Sequence, residues 1–229
     1  MHNLDYRNIL VVAAHPDDEV IGCGGTIAKH VDLGDKVHVL FMTNGIDSRN
    51  KSSSNDILKR KKSSEKVLKI LSIESMHNFD FPDNKMDSVP LLDVVQKIEK
   101  VVFELKPEIV YTHHIGDLNI DHRITHNAVM VACRPQKNMS VNEIYAFEVL
   151  SSSEWMTPKI NTFSPNYFNN ISNYIEIKKI ALSCYSDEMR ESPNSRSIEN
   201  ILRLNALRGN SVALDYAESF EILRHLNKW

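Results

Sequence analysis

Residues 14–19 read Ala-His-Pro-Asp-Asp-Glu and follow directly on an apolar run, residues 9–13. A histidine, two adjacent carboxylates and a proline therefore stand where a buried strand must end. A hydrolytic metal centre needs two things from such a turn: ligands for a divalent cation, and a carboxylate left free to handle a proton. His15 and Asp18, three residues apart, can supply two ligands. Adjacent side chains diverge, so Asp17 does not easily join Asp18 on one ion. It is placed instead to take a proton from a metal-activated water. A second polar segment, residues 113–123, carries His113, His114, Asp117, Asn119, Asp121 and His122. His122 can supply a third ligand. Mixed nitrogen and oxygen ligation favours Zn2+, and Fe2+ or Co2+ also fit. Each piece alone is weak. An HxxD spacing is common by chance, Asp121 can equally cap a helix, and His113 or His114 can equally be a satisfied core residue. The weight lies in the combination.

The elements that must position these residues are legible from periodicity. Residues 9–14 form a continuous apolar run, the pattern of a strand buried on both faces. A turn over 15–22 leads through Gly24-Gly25 into a helix to Val31, ended by Gly34-Asp35. Residues 36–42 alternate as a second strand, and 43–55 are a polar loop. A helix over 56–71 carries the basic run Lys59-Arg60-Lys61-Lys62, read as a solvated face. A short strand over 75–79, a loop over 80–87, a helix over 89–105 and a strand over 109–112 follow. A helix then runs to Cys133, and 143–150 form a strand. Residues 151–170 read as loop with room for a hairpin, 175–189 and 197–208 as helices, and 214–226 as a last amphipathic segment.

Strands and helices thus alternate from residue 9 to 150, which predicts a mostly parallel sheet with helices on both faces. The expected fold is a Rossmann-like three-layer α/β sandwich in one domain spanning 1–229. Sites in such sheets form outside the carboxyl ends of the strands. In the commonest strand order the first and fourth strands are neighbours there, so the loops carrying His15 and His122 can meet.

Composition narrows the partners. With 42% apolar and 25% charged residues, the chain is ordinary for a globular protein. Its net charge of −3 gives no reason to expect nucleic acid or an anionic membrane as partner. The start lacks the long apolar stretch of a signal peptide, and no run is long enough to span a bilayer. Cys23, Cys133 and Cys184 are widely separated, which supports neither a thiolate metal site nor a redox pair. A reducing, cytoplasmic location is expected, and Cys23 reads as a small side chain packed near a helix start.

His15-Pro16-Asp17-Asp18-Glu19, followed by Ile21-Gly22-Cys23-Gly24-Gly25, resembles the LmbE-like (PIG-L) N-deacetylases. The resemblance continues through Thr43-Asn44-Gly45, Phe81-Pro82-Asp83, Lys106-Pro107-Glu108-Ile109-Val110 and Asp121-His122-Arg123. It closes with Arg208-Gly209 and Tyr216-Ala217-Glu218-Ser219-Phe220, so it covers nearly the whole chain. The resemblance implies a zinc enzyme acting on N-acetylated amino sugars, with ligands His15, Asp18 and His122 and with Asp17 as general base. It implies a small-molecule glycoconjugate as substrate, and a homo-oligomer is expected. One departure matters. Many members of the family carry His-Pro-Asp-His at the second motif, where the first histidine supports the oxyanion. Here the segment reads Asn119-Ile120-Asp121-His122. Asn119 can donate a hydrogen bond but cannot act as a cationic acid. Either Asn119 does a reduced version of that job, or His113 or His114 swings in, with Asp121 orienting a neighbour.

Arg49 and Asp83 stand where the resemblance places sugar-contacting groups. Arg123 can reach an anionic group or pair with a surface acid, and His114 joins them as a candidate substrate contact. Trp155 and Tyr167 can stack on a sugar, although packing roles suit both. A nucleotide-binding reading of Gly22-Cys23-Gly24-Gly25 fails, because Ile27 stands where the third glycine of a dinucleotide fingerprint belongs. Two rivals keep the fold: a zinc amidase acting on a non-sugar amide or N-formyl group, and a non-enzymatic binding protein.

Overall fold

The computed structural model describes residues 6–46, 54–157 and 161–227. Among these described residues, seven strands are interleaved with six α-helices. The strands are β1 (Asn8–Ala13), β2 (Lys36–Thr43), β3 (Ser75–Phe81), β4 (Ile109–His113), β5 (Glu143–Phe147), β6 (Tyr167–Asn170) and β7 (Ala217–His225). The helices are α1 (Asp18–Asp32), α2 (Ser54–Ile70), α3 (Leu91–Leu105), α4 (Ile120–Ala132), α5 (Ile175–Ser183) and α6 (Ile198–Asn210). The strands form one sheet in the order β3-β2-β1-β4-β5-β7-β6. The first five in sequence are parallel, whereas β7 runs antiparallel to both β5 and β6.

Strand β1 is central. Ile9 pairs with Val37 on one side and with Ile109 on the other, which puts the ends of β1 and β4 side by side. Its alternate residues feed two apolar clusters. Ile9, Val11 and Ala13 face α1, α2, α5 and α6, while Leu10 and Val12 face α3 and α4. Ile9, Leu10, Val11 and Val12 are all fully buried. Their burial contributes a gross ~6–12 kcal/mol before the entropy of ordering the strand. A run polar on neither face is what this position requires.

Three features differ from the sequence expectation. Helix α1 begins at Asp18, ahead of the glycines, and not after Gly24. Those glycines lie inside the helix because its neighbours come too close for a side chain. A Cβ on Gly22 would fall 2.4 Å from the Phe147 ring, and one on Gly25 would fall 2.8 Å from Ile171. The tight packing outweighs the helix cost of glycine, about 1 kcal/mol each. Second, α5 ends at Ser183, and the chain then turns so that buried Tyr185 reaches Glu19 with its hydroxyl at 2.7 Å. Third, the amphipathic segment near the C-terminus is strand β7. It lies between β5 and β6, the latter drawn from the segment expected to be loop.

A buried ion pair ties this C-terminal part to α1. Lys178 of α5 donates to Glu218 of β7 at 2.6 Å and to the Ile21 carbonyl at 2.8 Å. Glu218 also accepts the backbone N–H groups of Gly25 (2.9 Å) and Thr26 (2.7 Å). Among the described residues, no helix is long and apolar enough to cross a membrane.

Candidate metal centre

The turn after β1 is built around an unusual residue. Asp17 has φ 121° and ψ −28°, a backbone conformation that an L-residue holds only when its surroundings enforce it. It occupies the N-cap of α1, yet its side chain makes no capping hydrogen bond. Aspartate at that position ordinarily accepts a helix N–H, worth about 1 kcal/mol. Here Glu19 takes over local duty and accepts the Asp17 N–H at 2.8 Å. Burial pushes the Glu19 carboxyl up to about 8. The Asp17 carboxylate is released from the helix end and lines a cavity.

Three donors converge beside it. His15 Nδ1 and His122 Nε2 each lie 3.2 Å from Asp18 Oδ2, and 3.3 Å from one another. A four-coordinate ion with ligand bonds of about 2.0–2.1 Å needs donors about 3.3–3.4 Å apart, so the triangle fits. All three residues are buried, and Asp18 Oδ1 has no hydrogen-bond partner. Burial opposes charge on His122, but Asp18 and Asp117 push its pKa up to about 9. His15 is raised likewise against burial, by Asp121, Asp18 and Asp83. Two imidazoles and a carboxylate at these distances form a donor set of the kind that a divalent cation takes.

The outer nitrogens of both imidazoles meet carboxylates. His15 Nε2 lies 3.2 Å from Asp121 and 3.2 Å from Asp83, and His122 Nδ1 lies 3.1 Å from Asp117. Carboxylates behind ligand histidines fix the tautomer and raise ligand basicity. His15, Asp83 and Asp121 also converge closely enough to hold an ion of their own. The oxygens of Asp121, however, already accept the backbone N–H groups of Asn84 (2.6 Å) and Met86 (3.0 Å). That commitment fits an orienting role. Asp117 accepts from the hydroxyls of Ser152 and Ser153 and from the Asn119 N–H. Burial alone would raise its pKa, but His122 and the serines hold it well below the carboxylate range.

The cavity over this centre measures about 290 Å³, and its walls include Asp17, Asp83, Asn84, Asn119, Glu188, Arg190 and Arg196. Two of its arginines reach Asp17 Oδ2, Arg196 at 2.8 Å and Arg60 at 3.5 Å. Burial works against charge on Arg196, and the carboxylates of Asp17 and Asp18 more than restore it, raising its pKa. Arg60 corrects the sequence reading of its basic run as solvated. Its side chain is buried and donates to the carbonyls of Pro16 (3.0 Å) and Gly45 (3.2 Å). Sequence reasoning had no signal for Arg196, and it left Asp117 as one polar loop residue among several.

The structure brings His15, Asp17, Asp18, Asp83, Asn119 and His122 to the cavity, with Asp121 directly behind His15. Asn119 is the N-cap of α4. Its side-chain oxygen accepts the Asp121 N–H at 2.8 Å, and its amide donates to Asn84 at 2.9 Å. Other candidates lie elsewhere. His113 stacks on His122 and accepts the Ala14 N–H at 2.8 Å, and burial holds its pKa low. Both nitrogens of His114 are engaged at 2.7 Å, by Glu221 and by the Asn161 carbonyl, so it does not swing in. Arg123 donates to the carbonyls of Asp117 and Leu118, closing the loop before α4. Trp155 is exposed, Tyr167 lines a different cavity at the other end of the sheet, and Cys23 is in the core. Arg49 lies outside the described residues.

Fold and site together define an α/β protein with a His-Asp-His cluster at the carboxyl ends of adjacent parallel strands. Residues 10–133 match the family described as PIG-L, GlcNAc-PI de-N-acetylase, and the chain belongs to that family. It is 30% identical over 182 residues to the uncharacterized deacetylase YaiS of Escherichia coli, covering 77% of this chain and 89% of that one. It is 27% identical over 205 residues to the diacetylchitobiose deacetylase of Thermococcus kodakarensis, covering 82% and 72%. Its fold is similar to that of GalB, the 4-carboxy-2-hydroxymuconate hydratase of Pseudomonas putida. That TM-score is 0.77 at 21% identity, covering 97% of this chain and 98% of that one.

Proposed function

We propose that this protein is a zinc-dependent N-deacetylase, hydrolysing the N-acetyl group of an amino sugar or sugar conjugate. The observation that carries the reading is the pairing of a three-donor triangle with a carboxylate that stands outside it and caps no helix N–H. His15, Asp18 and His122 would hold the ion, and Asp17, turned away from the helix it caps, stands beside them unligated. When bound, zinc supplies a Lewis acid for the acyl oxygen and for the attacking water.

The chain's own residues do the rest. Asp17 accepts a proton from water as its oxygen attacks the acetyl carbon. It then returns that proton to the sugar nitrogen as the C–N bond breaks, releasing acetate and a free amine. Asn119 keeps a second amide hydrogen beyond the one given to Asn84, and in this reading it meets the developing oxyanion. Asp83 lines the cavity and contacts sugar hydroxyls. Asp117 and Asp121 hold the two histidines in the ligating tautomer.

The likeness to a hydratase says that this fold does not choose the reaction. Amide hydrolysis is favoured by family membership and by the deacetylases among the sequence relatives. The test is a zinc-loaded screen of N-acetyl sugars with different aglycones, together with simple amides and N-formyl compounds, scored by released carboxylate and amine. Asp17→Asn should keep its zinc by elemental analysis and lose turnover, whereas His122→Ala should lose both. Full activity in Asp17→Asn would remove Asp17 from the role of base. Turnover of simple amides with no N-acetyl sugar hydrolysed would move the substrate class.

A further inference from the structure

We infer that Arg196 is a positioning residue for Asp17: it anchors carboxylate oxygen Oδ2 and so leaves Oδ1 to exchange the proton. The inference rests on the reading of Asp17 as the base. Asp17 gives up the cap interaction that its place at the start of α1 offers, and something else must hold its carboxylate. Arg196 Nη2 donates to Oδ2 at 2.8 Å. Oδ1 is buried with no hydrogen-bond partner. Leaving a buried carboxylate oxygen unpaired costs free energy, and here that oxygen lies on a residue that lines the cavity.

Arg196 is itself held. Its Nη1 donates to the Ser151 hydroxyl at 3.0 Å, its N–H donates to the Asn194 side chain at 2.9 Å, and its carbonyl accepts the Arg190 N–H at 3.1 Å. The next residue, Ser197, caps α6 by accepting the Asn200 N–H at 3.1 Å. The guanidinium is thus presented by a fixed loop at a helix start. Arg60 is the second cation near Oδ2, but at 3.5 Å, with its stronger bonds going to the Pro16 carbonyl and to Glu188 at 2.9 Å. Arg60 straps the turn to α2, whereas Arg196 fixes the carboxylate.

The donor triangle and Asp17 lie within residues 10–133, the part of the chain that the family match spans, and Arg196 lies well outside it. The C-terminal third therefore completes the proton-transfer group. Proton balance is simple: one proton leaves water for Oδ1 and passes from Oδ1 to the departing nitrogen, and the guanidinium keeps all of its own.

The test uses the zinc-loaded full chain with N,N′-diacetylchitobiose, or the N-acetyl sugar that the screen selects, as probe. Arg196→Ala should retain zinc, lose about 100-fold in kcat and change KM by less than about 3-fold. Added methylguanidinium should restore part of the rate, and Arg196→Lys should fall between. A crystal structure of Arg196→Ala should show the Asp17 carboxylate turned back toward the first N–H groups of α1. A kcat within about 2-fold of the parent, or a carboxylate that stays in place, overturns the inference. A raised KM with kcat preserved also overturns it, by making Arg196 a substrate contact. If Arg196→Ala does not fold, Arg196→Lys and Ser151→Ala carry the same comparison. Asp17→Asn separates the two levels. Its full activity would sink the base reading itself, while an inactive Asp17→Asn beside a fully active Arg196→Ala would sink only this inference.

Discussion

Asp117 should set the strength of metal binding without touching the metal. Its Oδ1 lies 3.1 Å from His122 Nδ1 and also accepts the Asn119 N–H at 2.8 Å and the Ser152 hydroxyl. Its Oδ2 accepts the Ser153 hydroxyl at 2.5 Å. Asparagine can keep most of this. Its amide oxygen can take the place of Oδ1, and its NH2 can face Ser153, whose hydroxyl is able to turn and accept. What is lost is the negative charge behind His122. Partners of this kind typically contribute 10–100-fold in metal affinity. Asp117→Asn, which preserves the hydrogen bonds to Asn119 and the serines, belongs at the low end, about 10-fold or ~1.4 kcal/mol. Asp117→Ala, which also strands two hydroxyls and an N–H, belongs near 100-fold. The assay is competition for zinc against a chromophoric chelator at fixed pH, with thermal unfolding of the apo forms to show that the fold survives. An unchanged Kd in Asp117→Asn would refute the reasoning. So would equal losses in the two variants, since the structure separates charge from hydrogen bonding.

Lys178→Met should destabilise by about 3 kcal/mol, at the low end for one half of a buried pair, because Glu218 keeps two backbone N–H partners. That corresponds to a fall in Tm of about 6–12 °C, and adding Glu218→Gln should recover part of it; a Tm within about 2 °C of the parent would contradict the account. Asn119→Asp keeps an oxygen for the α4 cap and loses the amide hydrogens, so stability should hold while kcat drops by about 100-fold; an unchanged kcat would move the oxyanion donor elsewhere. His30 sits buried between Asp35 and Tyr111, and burial holds its pKa below 6.5. The unfolded chain therefore binds the extra proton first, and His30 withdraws stability as pH falls through 6.5 toward its folded value. Denaturation of wild type and His30→Gln from about pH 8 to 5 should give a stability difference that shrinks on acidification; a constant or growing difference would refute it.

Which parts of the site the sequence foretold follows from how each part is encoded. His15 and Asp18 were legible because a single turn carries both, and because an apolar run places that turn at a strand end. His122 was legible one step later, since alternating elements predict that β1 and β4 are neighbours, as their register bears out. The glycines misled, because local propensity reads them as breakers, whereas Phe147 and Ile171 press on α1 there and leave no room for anything larger. Arg60 misled for a related reason. Lys59, Arg60, Lys61 and Lys62 look alike as a charge run, and only the packing of α2 turns one of them inward. Arg196 and Asp117 carry no local pattern at all, because their roles are set by where distant segments dock.

The two kinds of residue therefore divide the work. The three donors of the candidate metal site, His15, Asp18 and His122, lie in the segments that follow β1 and β4, whose adjacency is fixed by the parallel sheet. Part of the cavity wall (Glu188, Arg190 and Arg196) comes instead from the last third of the chain, where Arg196 bonds to Ser151 and Ser197 caps α6, while Asp83, Asn84 and Asn119 line it from the loops after β3 and β4. Arg196 ties the two together, since a loop 179 residues further along the chain holds the Asp17 carboxylate beside the donor triangle.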